Sequence, residues 1–158
     1  MYRLKLLARS GGGDVSGKDC DSEPIKALKR FYAAEEEYVA SGAKNFSIIA
    51  NTLHEDVVMH QAASLPYGGD WKGHRGFEAW MKAMSGVWSK LEHLDVRIFD
   101  TGDDTVFTRA RPKVTSRATG ETIEFQILHQ VTVRDGKIFR AEPFYWDTAA
   151  LIEKLANP

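Results

Sequence analysis

Five histidines, His54, His60, His74, His93 and His129, are the side chains best suited to take and give a proton near neutral pH. His129 stands apart by its setting. It interrupts an alternating apolar run made of Ile123, Phe125, Ile127, Val131 and Val133. An imidazole on such a face can act as a general acid or base. The plain alternative is a core histidine bonded to a backbone carbonyl. Glu142, in the next run, is the carboxylate that could fix the His129 tautomer or act as the acid or base itself. Its plain alternative is a rim salt bridge with Arg140. The histidines show neither His-x-x-x-His nor His-Glu-x-x-His spacing, so no metal is expected. No GxGxxG, P-loop or GxSxG pattern is present, so no cofactor and no serine nucleophile are expected.

The elements that must hold these residues can be read from periodicity. Residues 9–22 are rich in Gly, Ser and Asp and cannot bury enough apolar surface to order themselves, so 1–22 is expected to be a flexible tail and 23–158 the domain. Asp21 or Ser22 can cap a first helix, Pro24 suits its first turn, and Gly42 ends it. Ile25, Leu28, Phe31, Tyr32 and Val39 form its inward stripe, and the Glu35–Glu37 run reads as a solvated face. A short helix is expected at about 45–53 and a strand at 56–61. A loop follows at 62–73. An amphipathic helix at about 74–89 carries Phe77, Trp80, Met81, Met84 and Trp88 as core. Beyond Leu91 the period becomes two. Four strands are expected, at about 92–100, 104–117, 121–134 and 137–146, and then a helix capped by Asp147. Helices followed by an antiparallel meander give an α+β fold, a curved mixed or antiparallel sheet wrapped around N-terminal helices.

The turns predict a register. A two-residue Thr119-Gly120 loop sets His129 opposite Ala110 and puts Val106, Thr108, Ala110, Pro112 and Val114 on the same face as His129. A two-residue Asp135-Gly136 loop sets His129 opposite Glu142, within reach of each other across the pair. A bulge in the last strand would place Pro143 there instead. The opposite face carries Arg109, Arg111, Lys113, Glu124, Gln126 and Gln130, rows that could pair across a two-fold axis in a homodimer.

Composition removes whole classes of function. The 158 residues carry a net charge of −1 with no basic run, so nucleic acid is not an expected partner. No apolar stretch approaches a membrane span, and the N-terminal leucines are too few for a signal peptide, so no membrane partner is expected. A single cysteine fits a cytoplasmic setting. Eight Phe, five Tyr and four Trp can line a pocket for a hydrophobic small molecule.

His54–Gln61, then Ser64–Gly73, then the helix from His74, resemble the SnoaL-like branch of the NTF2-like, ketosteroid-isomerase-type superfamily. Val131–Lys137 followed by Tyr145–Thr148 is similar to that family's last hairpin. The resemblance covers about 23–155. It implies a cone with a deep enclosed pocket between sheet and helices, usually dimeric, and chemistry of the polyketide cyclase, isomerase, dehydratase or epoxide hydrolase kind. It implies that His129 matches the inward histidine of SnoaL-type cyclases. Their catalytic Asp falls on Pro143, beside Glu142. The base of ketosteroid isomerases falls on Gln61, beside His60.

His60 and Gln61 alternate faces, so only one points inward. Gln61 can hydrogen-bond a carbonyl or enol, and His60 could act as a base. Tyr67, Asp70 and Trp71 lie in the loop expected to roof the pocket. Tyr145 on the last strand is expected to bind ligand. Related isomerases use a helix tyrosine as an oxyanion donor, which makes Tyr32 a candidate beside its packing role. The leading expectation is therefore a cofactor-independent isomerase or lyase acting on a cyclic or polyketide-like molecule with an acidic C–H next to a carbonyl. The alternative is a non-catalytic binding or accessory protein. An epoxide hydrolase is disfavoured, because Arg109 and Arg111 fall on the outer face.

Overall fold

The computed structural model describes residues 21–42 and 44–156. Residues 1–20 of the expected tail, with Cys20, lie outside them. Helix α1 runs from Glu23 to Ala40, with Pro24 in its first turn. Ser22 occupies the cap position with extended backbone but makes no side-chain cap bond. Gly42 closes the helix at φ 72°, a left-handed conformation that costs glycine no steric penalty. Helix α2 is a single turn, Ser47–Ala50, shorter than expected. Strand β1 (Leu53–Gln61) leads to a short β2 (Gly69–Lys72), which pairs with it inside the stretch expected as loop. Helix α3 (Gly73–Val87) buries Phe77, Trp80, Met81 and Met84 on the stripe its spacing predicts. Among the described residues no helix is long and apolar enough to cross a membrane.

Strands β3 (Trp88–Asp100), β4 (Thr105–Ser116), β6 (Ile127–Arg134) and β7 (Lys137–Tyr145) form the meander, and the three-residue β5 (Thr122–Glu124) pairs with β4. The strand order is β2-β1-β7-β6-β4-β3, with β1 parallel to β7 and the remaining pairs antiparallel. The sheet is thus mixed, and a break in register near Asp95, at φ 51°, bends β3. Asp147 caps α4 (Thr148–Ala156) by accepting the Ala150 N–H at 2.9 Å. Helices α1 and α3 pack against the inner face, where Val106, Ala110, Val114, Val131, Val133 and Ala141 are buried.

Two turns decide which residues share that face. Asp135 and Gly136 both take positive φ, 53° and 69°, and Arg134 faces Lys137 as the tight hairpin requires. The β4 turn is longer than expected. Ser116 accepts no two-residue loop but faces Glu121, its N–H donating to the Glu121 carbonyl at 2.8 Å. His129 therefore lies opposite Thr108 rather than Ala110. A slip of two keeps every side chain on its face.

Candidate functional site

A bulge in the last strand overturns the expected pairing of His129 with Glu142. The register shifts between Thr132 and Val133, so Pro143 lies opposite His129 and Glu142 opposite Gln130. One residue of slip turns a strand over. Glu142 is thereby placed on the outer face, where its carboxylate accepts from the Arg140 guanidinium at 2.9 Å. His60 also faces outward. Its Nδ1 is 2.7 Å from Asp70 Oδ1, across the β1–β2 pair. Neither residue reaches the inner face.

The other predicted residues do come together there. Tyr32, from α1, and His129, from β6, are both buried, and the Tyr32 hydroxyl is 3.2 Å from His129 Nδ1. Tyr32 sits one turn after Leu28 on the stripe that α1 presents to the sheet. Burial, helped by His93, pushes the pKa of His129 down to about 3, so the ring is neutral at physiological pH. Burial pushes the Tyr32 phenol up, so it is a neutral donor. His129 Nε2 and Thr108 Oγ1 are buried without a well-formed hydrogen bond.

Gln61 is the inward member of its pair. Its Oε1 accepts from the Tyr145 hydroxyl at 3.0 Å, and its Nε2 lies 3.7 Å from Met59 Sδ. Tyr67 is buried rather than poised over a mouth. Its hydroxyl accepts from Trp88 Nε1 at 3.2 Å, and its carbonyl accepts from Trp71 Nε1 at 3.2 Å. Burial raises the pKa of both Tyr67 and Tyr145. Of the expected roofing loop, Leu65 and Tyr67 are buried in the core, Trp71 is half-buried and Asp70 is exposed.

Two polar residues of the interior carry no expected role from the sequence. Glu35 is only 5% exposed, against the expected solvated face, while Glu36 and Glu37 stay at the surface. Burial raises the pKa of Glu35. His93, from β3, stacks on Tyr32 with centroids 4.7 Å apart, and its Nε2 is 3.8 Å from Glu35 Oε2. Spacing was the available signal: Leu28, Phe31, Tyr32 and Glu35 follow one helical face.

The interior is a polar cluster set in an aromatic core. A cavity of about 360 Å³ opens elsewhere, between the C-terminal ends of α1 and α3, and is lined by Val39, Lys82, Ser85, Trp88 and Arg117 among others. Trp88 lines this cavity and also donates to the buried Tyr67 hydroxyl. No group of three or more ligating side chains suited to a metal occurs among the described residues.

Comparison with known proteins agrees with this architecture. The SnoaL-like domain family matches residues 28–141. The fold is similar to TerC, solved with polyporic acid, at 26% identity and a TM-score of 0.73 over 86% of this chain and 100% of that one. It is also similar to an NTF2-like protein of unknown function from Burkholderia pseudomallei K96243, at 16% identity and a TM-score of 0.71 over 87% and 100%. A protein assigned as a SnoaL-like polyketide cyclase from Jannaschia sp. CCS1 is similar at 15% identity and a TM-score of 0.71 over 93% and 99%. No curated protein matches in sequence.

Proposed function

The chain belongs to the SnoaL-like domain family, and on that premise we propose that it is a cofactor-independent enzyme that moves protons on a cyclic, polyketide-like ketone. One observation carries this reading. His129 Nε2 is polar, buried and without a hydrogen-bond partner on the inner face, and Thr108 Oγ1, on the facing strand, interacts only loosely with the Tyr32 hydroxyl. Buried polar atoms normally find partners, and a ligand oxygen would supply one. With the Tyr32 hydroxyl donating to Nδ1, the neutral His129 ring carries its proton on Nε2. That N–H and the Thr108 hydroxyl can then hold the oxygen of an enolate. Donors aimed at developing charge inside a dry site are the strongest catalytic device such a fold can offer. Tyr32 positions the imidazole and sets its tautomer. The ligand enters from the cavity at the helix ends, with Trp88 as the side chain to be displaced. The aromatic walls favour a flat ring, and TerC was crystallised with polyporic acid.

The test uses 2-tetralone as an enolisable probe in heavy water, with exchange of its α-protons followed by NMR. The protein should accelerate exchange over buffer, and His129→Ala should lower that rate by about 100-fold. Exchange indifferent to His129→Ala would end this reading. The second reading, a binding protein without turnover, is favoured by Gln61 standing where related isomerases keep a carboxylate. It predicts tight polyporic acid binding with no exchange at all.

The chain also pairs with a second copy through the outer sheet face. Phe99 is 52% exposed, Leu128 41%, Phe144 54% and Trp146 85%, and Leu128 and Phe144 are direct cross-strand partners. Apolar groups this exposed and adjacent call for a cover. The polar rows alone would be a weaker seam, because Arg111 already pairs with Asp95 and Glu124 inside the chain. Light scattering should give a dimer for the unmodified protein and a monomer for Leu128→Glu. A monomeric unmodified protein refutes the pairing.

A further inference from the structure

Both places where the family resemblance leads one to look for a carboxylate lack one on the inner face. Gln61 occupies the end of β1, and Pro143 lies where Glu142 would have to point inward. A carboxylate nevertheless reaches the interior from the opposite layer. Glu35 follows Tyr32 by three residues on α1, so both side chains lie on the helix face turned to the sheet. It also acts electrostatically on Tyr32 and on Tyr145, which sets it within the same cluster. Its ion-pair partner among the described residues is His93, at 3.8 Å. That contact is longer than a hydrogen bond.

The pair makes poor sense as a structural tie. A buried ion pair stabilises only when good hydrogen bonds satisfy its remaining atoms, and a well-packed apolar side chain usually does as well or better. Here His93 Nδ1 is buried with no hydrogen bond, and lies 3.8 Å from the half-exposed Glu36 carboxylate. His93 is clamped between the two carboxylates on one side and the Tyr32 ring on the other. Such an arrangement keeps a carboxylate inside a core and keeps it able to exchange a proton.

We infer that Glu35, held against His93, is the acid–base carboxylate of the interior site. This rests on the proton-transfer reading above and supplies the group that reading lacks. Ionised Glu35 takes a proton from the carbon next to the substrate carbonyl. The C–H electron pair becomes the carbon–carbon double bond of the enolate, and the carbonyl π pair moves to oxygen, facing His129 Nε2–H and the Thr108 hydroxyl. Where the substrate carries a β,γ carbon–carbon double bond, the enolate extends over it as a dienolate; the Glu35 carboxylic acid then returns the proton to the γ carbon, the double bond moves to the α,β position and the carbonyl re-forms. In a ring closure, the enolate carbon attacks a second carbonyl, and Glu35 protonates the alkoxide that forms. His93 is a positioning residue, because it acts on Glu35 and not on substrate. Burial raises the pKa of Glu35, His93 opposes that rise and Glu36 adds to it. The other titratable groups around the site, Tyr32 from α1, His129 from β6 and Tyr145 from β7, are neutral near pH 7. A raised carboxyl pKa brings the acid and base forms closer to balance at working pH.

The same exchange assay with 2-tetralone tests this on the full chain. Glu35→Gln should lower exchange about 100-fold while polyporic acid binding, followed by absorbance, changes by less than about threefold. Glu35→Asp should recover part of the rate. The unmodified protein should lose activity below an ionisation that lies above the ordinary carboxylate range, and Glu35→Gln should lack that limb. His93→Gln should move the limb to higher pH, since it removes the group that opposes the rise. Unchanged exchange in Glu35→Gln, or an acid limb that persists in it, overturns the assignment. If His129→Ala abolishes exchange while Glu35→Gln does not, this inference falls and the proton-transfer reading stands. If the unmodified chain accelerates nothing, both fall. Glu35→Gln is isosteric and removes a buried acid, so its melting temperature should not fall, and a melt run beside the assay checks this.

Discussion

Lowering the pH from 7 to 4 is expected to remove about 3 kcal/mol of stability through His129 alone. Burial holds the folded-state pKa of this ring at about 3, against an ordinary value of 6.5. The unfolded chain therefore takes up the proton first as the pH falls. The stability is complete above about 6.5, and it is lost progressively as the pH falls through the window from 6.5 to 3. Glu35 works in the other direction. Its folded pKa is raised from 4.5, so it favours the folded state at low pH, and that favour is lost as the pH rises through the raised value. A single acid titration mixes the two groups. The clean measurement is denaturant unfolding at both pH values for the unmodified protein and for His129→Gln. The difference between their pH dependences should be about 3 kcal/mol, with the variant the less sensitive. Equal pH dependence would mean that the ring already reaches water or a partner in the folded state.

The way the sequence encodes this site explains which of its parts are readable. Period-two patterning identifies the inner faces of β4 and β6, because a residue on the wrong face would expose a whole apolar row. That parity survives an error in loop length. Reading 117–120 as a two-residue turn moves His129 from Thr108 to Ala110 but leaves it pointing inward. A bulge is different in kind, because it slips the register by one. The irregularity between Thr132 and Val133 exchanges Glu142 for Pro143, and with them the identity of the expected catalytic partner. Nothing periodic announces a bulge. The sign available is Pro143 itself, which cannot donate to a ladder. Glu35 was legible in principle. Three successive glutamates suggest solvent, yet only Glu36 and Glu37 meet it. The helical spacing from Leu28 through Tyr32 assigns Glu35 to the core, and spacing outweighs composition once the helix is packed. The role of His93 was not legible, since it depends on the meeting of α1 with β3, two elements about fifty residues apart.

Phe77→Ala should be the most damaging single change in the core, at about 3–5 kcal/mol. Phe77 has no exposed surface and lies on α3 between two other rings. Its ring meets Trp80 edge-on with centroids 4.9 Å apart, and Phe31 edge-on at 5.9 Å. Phe31 in turn lies 5.9 Å from Tyr32. The loss therefore combines the transfer of a buried ring, the cavity it leaves, and two edge-to-face contacts. Collapse around the gap is limited, because Phe31 and Trp80 are anchored on separate helices, α1 and α3. Guanidinium unfolding should show the loss as a lower midpoint with an unchanged slope. Phe77→Leu, which fills most of the volume, should cost clearly less. A loss below about 1 kcal/mol for the alanine variant would mean that α1 and α3 close over the gap. The same row of rings gives the prediction a second consequence. Tyr32 holds His129 in its tautomer and stacks on the imidazole that faces Glu35. A cavity at Phe77 loosens the packing behind Phe31, and Phe31 backs Tyr32. Proton exchange in the surviving folded fraction of Phe77→Ala should then fall further than in Phe77→Leu, although neither substitution touches the polar cluster.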